Sequence, residues 1–191
     1  VDRKLANYFA KKTEEARKIG PSTVQMVKSI RDLTLAGGKR LRAAFMSWGY
    51  IGAGGREIEE IIEASMSIEL AHIFLLIHDD IIDRDDFRHG VPTVHKRYEN
   101  FSRIFHKKTD TEHFGTSMAI VVGDMSYSFG NELIFSSRFK PDRILAALKK
   151  LQDIVSHTVS GEVLDIILEA KGKATEKEIL EVHKNKTAKY T

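Results

Sequence analysis

The feature that most constrains the fold is a long segment, residues 56 to 83, that becomes more apolar along its length. Its first half carries apolar residues at helical spacing among acids, and residues 71 to 82 are almost entirely apolar. A single helix of this length would run about 40 Å, which is enough to cross a whole domain. Because a helix that is apolar on all sides must be buried, we expect this one to be central.

The rest of the chain also favours helices, since apolar residues recur at three- and four-residue spacing and strand signals are scarce. We therefore predict an all-α fold. Breaks in the pattern coincide with glycine and proline signals, and Thr175 with Glu178 has the form of a capping box. The predicted helices cover about residues 3–18, 22–35, 39–52, 56–83, 112–136, 141–171 and 176–190.

Composition indicates one soluble globular domain over residues 1–191, since 42% of the residues are hydrophobic and 30% are charged. No Ser- or Gly-rich linker suggests an internal boundary. The chain has no cysteine, which excludes disulfides and thiol nucleophiles and is compatible with a cytoplasmic location.

Hydropathy and charge argue against a membrane-spanning protein and against a nucleic-acid-binding protein. The longest wholly uncharged stretch near the aspartates, residues 70 to 77, is too short to span a bilayer, and the N-terminal residues are not signal-like. The formal net charge is +3, with basic residues dispersed among nearly as many acids, so nucleic acid is not an expected partner.

Three acids stand close together near the end of the long apolar segment. Asp79, Asp80 and Asp83 occupy positions i, i+1 and i+4, so their carboxylates converge on one side of the helix. They repel one another and face the negative end of the helix dipole, which costs about 0.3–1 kcal/mol each. Arginines or a hard divalent cation could compensate, and donor sets made only of oxygen favour Mg²⁺.

The simpler alternative is a solvated helix end followed by a polar loop. Against this, the acids directly follow the apolar residues 73–77, which must be packed, and the same loop carries Arg88 and His89. Acids beside bases can bracket a metal-bound phosphate, because Mg²⁺ uses one or two carboxylates and takes other ligands from substrate phosphates.

A basic cluster, Gly37-Gly38-Lys39-Arg40-Leu41-Arg42, lies at the predicted start of a helix. Backbone N–H groups there favour anions, and Lys and Arg bind phosphate oxygens. The alternative is a glycine helix stop followed by solvated charges.

His72 lies two turns before Asp79 and should project from the same side of the helix as the aspartates, although a lone helix histidine is more often structural.

These segments together resemble the trans-type prenyl diphosphate synthases, and the resemblance runs across nearly the entire chain. Residues 79–83 resemble the family's first aspartate-rich DDxxD motif, and residues 88–95 resemble its Arg-Arg-Gly-x-Pro-Thr-x-His segment. Residues 37–42 resemble its Gly-Gly-Lys-x-x-Arg motif, and Lys186-Thr187 resembles its Lys-Thr pair. The resemblance implies an isoprenoid-synthase-type helical bundle around a central apolar cavity.

The resemblance also assigns roles. It implies that Mg²⁺, two or three ions with the substrate diphosphate, is held by the three aspartates, which are the predicted catalytic residues together with Lys186. It implies that isopentenyl diphosphate and an allylic prenyl diphosphate are the substrates and that the protein is a homodimer. The residues expected to bind the diphosphates are Lys39, Arg42, His72, Arg88, His89, Lys186 and Thr187.

Departures from the family pattern qualify this assignment. Ala43 stands where the family usually has proline, and Glu162 stands where it commonly has glutamine. His89 stands where it usually has arginine, so the charge at position 89 would depend on pH near neutrality. The family's second aspartate-rich motif is expected some forty residues after the Lys-Thr pair, so we expect this chain to be the N-terminal part of a longer synthase domain.

In the implied reaction, the allylic diphosphate ionises to a carbocation, the double bond of isopentenyl diphosphate attacks it, and the departing pyrophosphate removes the proton. Phe74 and Leu75, one to two turns before Asp79, are expected to line the tunnel for the growing chain. In the family, an aromatic residue at position 74 implies a geranylgeranyl product, with farnesyl diphosphate as the shorter possibility. The alternative is that Phe74 is ordinary core.

The sequence also permits two other functions. A terpene cyclase of the same fold also uses a DDxxD helix, but it has no second diphosphate to bind with the basic cluster. A non-catalytic regulatory subunit of a prenyl synthase is the other alternative, which His89 keeps open.

Overall fold

The computed structural model describes residues 1–105 and 109–189. The chain forms two compact units, Val1–Ser137 and Arg138–Thr191, each described below by itself. The prediction that the whole chain is one domain stays a prediction.

The all-α prediction is confirmed. In the described ranges, eight α-helices alternate with short loops, and a two-residue antiparallel hairpin pairs Phe87 with Pro92 and Arg88 with Val91. The elements are α1 (Asp2–Arg17), α2 (Pro21–Leu35), α3 (Leu41–Gly52), α4 (Ile58–Ile82), β1 (Phe87–Arg88), β2 (Val91–Pro92), α5 (Val94–Ser102), α6 (Thr111–Phe135), α7 (Pro141–Lys171), α8 (Glu176–Val182) and a π-helical segment, His183–Ala188.

Helix α4 is the centre of the first unit, as predicted. Leu70, Ala71 and Ile77 are completely buried, and α4 packs against α2, α3, α5 and α6. By length and composition alone α4 could cross a membrane, but 56% of its apolar window is buried inside the protein. Such burial is typical of the core helix of a globular unit.

Helices α4 and α6 approach closely because small residues of α6 face α4. The Ser126 hydroxyl donates to the Leu70 carbonyl at 2.9 Å. A Cβ on Gly123 would lie 2.6 Å from Nε2 of His78, so the absence of a side chain there makes room for the imidazole. Gly123 is therefore a packing residue between α4 and α6.

Three features differ from the predicted element boundaries. Helix α3 begins at Leu41 rather than residue 39, because Arg40 adopts a left-handed backbone conformation with φ 52°. Residues 87–102 contain the hairpin and α5, which were not predicted. The last predicted helix ends at Val182 and continues as the π-helical segment; the predicted end at residue 190 lies outside the described residues.

The second unit is built from α7, α8 and the π-helical segment. The predicted capping box is confirmed: Thr175 accepts from the Glu178 N–H while the Glu178 carboxylate accepts from the Thr175 N–H. Gly172, in the left-handed conformation, ends α7. This geometry turns the chain so that the π-helical segment packs back onto α7.

Candidate active site

The three predicted metal-binding aspartates lie at the C-terminal end of α4 in different environments. Asp80 is completely buried, Asp79 is partly buried, and Asp83 is the exposed C-cap residue. The stripe predicted from their spacing is therefore present, but it runs from the core out to the surface.

Arg88 of β1 ties these acids to the hairpin. Its Nε donates to Oδ1 of Asp80, and its Nη2 lies 3.4 Å from Oδ2 of Asp79 and 3.1 Å from Oδ2 of Asp85. The hairpin is held in place by the Thr93 side chain, which donates to the Asp85 carbonyl at 2.8 Å. One guanidinium thus partly neutralises three carboxylates.

Asp80 retains an unsatisfied oxygen despite this pairing. Its Oδ2 is buried and has no hydrogen-bond partner. Burial raises the pKa of Asp80 to about 6; the Arg88 hydrogen bond and charge oppose this shift, while the Asp85 and Asp79 charges add to it. A buried carboxyl with one orphaned oxygen is suited to a further cationic partner.

The donor chemistry therefore fits Mg²⁺, which binds oxygen ligands and keeps several waters. The described part of the chain, however, holds no group of three His, Asp or Glu side chains already arranged around a common ion position. Arg88 occupies Asp80 Oδ1, so a cation would share these acids with the guanidinium.

The basic cluster reaches the same region of the first unit. A Cβ on Gly37 would lie 3.8 Å from Cβ of His89, so the glycine loop packs against the hairpin turn. Lys39 is exposed and precedes α3, and Arg42 lies in its first turn. The Ala43 N–H donates to Oε1 of Glu69 at 3.1 Å, so this helix-start N–H is already used within the protein.

His72 lies among the predicted diphosphate-binding cations. Burial, together with the positive charges of Arg42, Arg88, His89 and Arg40, lowers the pKa of His72 to about 3. The structure thus brings together four residues that the sequence predicted to bind diphosphate. A neutral imidazole can still donate one hydrogen bond to a phosphate oxygen.

Phe74 and Leu75, which were predicted to line the tunnel for the growing chain, lie on α4 before the aspartates. The Phe74 ring packs edge-on against His78, with centroids 4.8 Å apart, and at a tilt against Tyr127 of α6, 4.9 Å away. Phe74 and Leu75 are partly buried. Tyr127 is a neighbour that the sequence reasoning missed, because only the α4–α6 packing places it beside Phe74.

Lys186 and Thr187 lie in the second unit, on the π-helical segment. Nζ of Lys186 lies 2.8 Å from Oε2 of Glu162 and 2.8 Å from Oδ2 of Asp165. Both residues line a surface groove of about 590 Å³ between α7 and α8. Glu162, where the family commonly has glutamine, and Asp165 are therefore the carboxylates that hold the Lys186 ammonium.

The helical fold and the aspartate end of α4, with its surrounding cations, define the isoprenoid-synthase class of proteins. A polyprenyl synthetase family model matches residues 24–191. The chain belongs to the polyprenyl synthetase family.

Relatives and solved structures agree. The chain is 35% identical over 164 residues to a geranylgeranyl diphosphate synthase of Methanosarcina mazei, covering 86% of this chain and 45% of the relative. It is 30% identical over 180 residues to a geranylfarnesyl diphosphate synthase of Natronomonas pharaonis, covering 86% and 48%.

A geranylgeranyl pyrophosphate synthase from Corynebacterium glutamicum, solved with isoprenyl diphosphate and magnesium, matches with a TM-score of 0.89 and 29% identity, covering 100% of this chain and 55% of that one. The chain therefore spans about half the length of the relatives it matches.

Proposed function

We propose that the protein containing this chain is a trans-prenyltransferase that condenses isopentenyl diphosphate with an allylic prenyl diphosphate. The observation that carries the proposal lies in the first unit: Arg88 pairs with Asp79 and Asp80 of α4, and the charges of Arg88, His89 and Arg42 act on His72. The proposal also draws on relatives named as geranylgeranyl and geranylfarnesyl diphosphate synthases.

In this proposal Asp79, Asp80 and Asp83 hold magnesium, two or three ions per site together with the substrate diphosphate. Bound magnesium would neutralise the charge that develops on the departing pyrophosphate. Two observations support this role: Oδ2 of Asp80 is buried without a hydrogen-bond partner, and the Asp79 side chain is partly exposed.

The remaining residues orient the substrates. Lys39, Arg42 and the neutral His72 bind isopentenyl diphosphate, with Arg88 and His89 beside them. Lys186 and Thr187 bind the allylic diphosphate, and Glu162 and Asp165 keep the Lys186 ammonium ordered. Fixed cations of this kind stabilise leaving-group charge without reorganisation, which is the main electrostatic contribution to such a reaction.

Phe74, held against His78 and Tyr127, is proposed to form the floor of the product tunnel and so to set a geranylgeranyl product.

We further propose a cytoplasmic homodimer in which this chain is the N-terminal part of a single synthase domain. Exposed apolar residues of α6, such as Val121 and Phe135, support an interface there, and light scattering of the full-length protein would test it.

The decisive experiment measures product formation by the full-length protein from isopentenyl diphosphate, an allylic diphosphate and Mg²⁺. Asp79→Asn should lower kcat on the order of 10²–10³-fold. Asp153→Asn, an exposed acid of α7 paired with Lys149, is the matched control and should retain full activity. Turnover of the allylic substrate without consumption of isopentenyl diphosphate would indicate a cyclase and contradict the proposal.

A further inference from the structure

Arg40 belongs to the basic cluster, and its guanidinium is engaged by partners within the protein. Its left-handed backbone folds the guanidinium over Gly38, where a Cβ would lie 3.1 Å from Nη1. Nε donates to Oδ1 of Asp2 at 2.7 Å, Nη1 lies 3.4 Å from Oε2 of Glu69, and Nη2 donates to the Thr34 carbonyl. Because all three nitrogens have protein partners, this guanidinium joins α1, α2 and α4 rather than facing a ligand.

Glu69 completes the connection from the helix side. It is 4% exposed, its Oε2 pairs with Arg40, and its Oε1 accepts the Ala43 N–H at 3.1 Å. Glu69 lies one turn before His72 on α4, the helix that ends in the aspartates. One buried carboxylate therefore attaches both the loop before α3 and the first turn of α3 to α4.

This attachment matters because the loop itself is flexible by composition. Gly37 and Gly38 impose little conformational restriction of their own. Lys39 and Arg42 lie on either side of Arg40 in the chain, so fixing Arg40 restrains the backbone that carries the two cations. Displacement of a binding group by about 1 Å can cost on the order of 10²-fold in rate.

We infer that Arg40 and Glu69 are positioning residues for isopentenyl diphosphate: their ion pair holds Lys39 and Arg42 at a set distance from the aspartates of α4. The inference rests on the proposed function, because it assigns these cations to that substrate. Neither Arg40 nor Glu69 touches the substrate in this arrangement.

The test uses the full-length protein and measures KM separately for the two substrates. Glu69→Gln keeps an acceptor for the Ala43 N–H and removes the charge that Arg40 needs, and Arg40→Met removes the guanidinium. Both should raise the KM for isopentenyl diphosphate by at least about 10-fold and leave the KM for the allylic diphosphate within about 2-fold. Arg40→Lys keeps the positive charge but lacks the forked guanidinium. Its KM for isopentenyl diphosphate should therefore lie between those of the wild-type protein and Arg40→Met.

The matched control is Glu63→Gln. Glu63 also lies on α4 and pairs with Lys4 of α1 at 2.7 Å, but this pair does not involve the loop before α3. Its KM values should match those of the wild-type protein.

An unchanged KM for isopentenyl diphosphate in Glu69→Gln and Arg40→Met, or an equal rise in both KM values, would overturn the inference. If Arg40→Met does not fold, Arg40→Lys decides the matter by the same criterion. Failure of the proposed function is distinguishable, because the wild-type protein would then not consume isopentenyl diphosphate at all.

Discussion

Gly161 of α7 lies where the π-helical segment crosses the helix. A Cβ at this position would lie 2.8 Å from Cα of Lys186 and 2.9 Å from the carbonyl carbon of Asn185, and nearer still to the Lys186 nitrogen. These neighbours are backbone atoms, which cannot rotate away as a side chain would. Gly161→Ala should therefore push the π-helical segment off α7 and pull the Lys186 ammonium away from Glu162 and Asp165.

The size of the effect follows from two opposing contributions. Overpacking of one methyl group costs about 1–3 kcal/mol, and replacing a helix-interior glycine by alanine returns about 0.8–1.0 kcal/mol. Gly49→Ala provides the matched control, because Gly49 is within α3 and a Cβ there meets nothing within 4 Å. The helix-propensity gain is common to both variants, so the free energies of unfolding should differ by about 1–3 kcal/mol.

Urea titrations of the two variants measure this difference, and steady-state kinetics of the full-length protein measures its consequence. We expect Gly161→Ala to raise the KM for the allylic diphosphate, because Lys186 is displaced, and to leave the KM for isopentenyl diphosphate unchanged. The reasoning is refuted if Gly161→Ala is stabilised as much as Gly49→Ala and keeps its allylic KM.

Three further predictions concern other parts of the chain. Phe74→Ala, which removes the ring packed against Tyr127, should lengthen the product; an unchanged chromatographic profile would remove Phe74 as the determinant. Between about pH 3 and its usual pKa of 6.5, His72 binds fewer protons in the folded than in the unfolded protein, so the free energy of unfolding should fall as pH decreases through that window. Urea titrations at several pH values measure this dependence, and His72→Gln should reduce its slope. Thr175→Ala, which deletes the α8 cap, should cost about 0.5–2 kcal/mol, whereas Thr175→Ser should not, as thermal melts would show.

The sequence was sufficient for the helical class and the candidate residues because these depend on short-range patterns. Helix α4 was recognisable from a continuous apolar run that only a core helix can bury, and the capping box at Thr175 from two residues at fixed spacing. The aspartate stripe follows in the same way from helix geometry.

The elements that were missed have weak local signals. Helix α5 has only nine residues, and its buried face consists of Val94, His95, Tyr98 and Ser102, a mixture that gives little apolar periodicity. Its burial depends on packing against α6, the next helix along the chain, and its own nine residues do not reveal that packing. The hairpin before it is likewise set by Arg88 reaching back to the acids of α4.

By itself, then, the sequence determined the helical architecture, the central position of α4 and the residue types available for diphosphate and magnesium, because periodicity and spacing are local properties. Tertiary structure alone decided the surroundings of those residues: that Arg88 pairs with the buried Asp80, that burial among cations keeps His72 neutral, and that Arg40 pairs with Glu69. The physical reason is that burial, charge pairing and close approach depend on which distant segments the fold brings together.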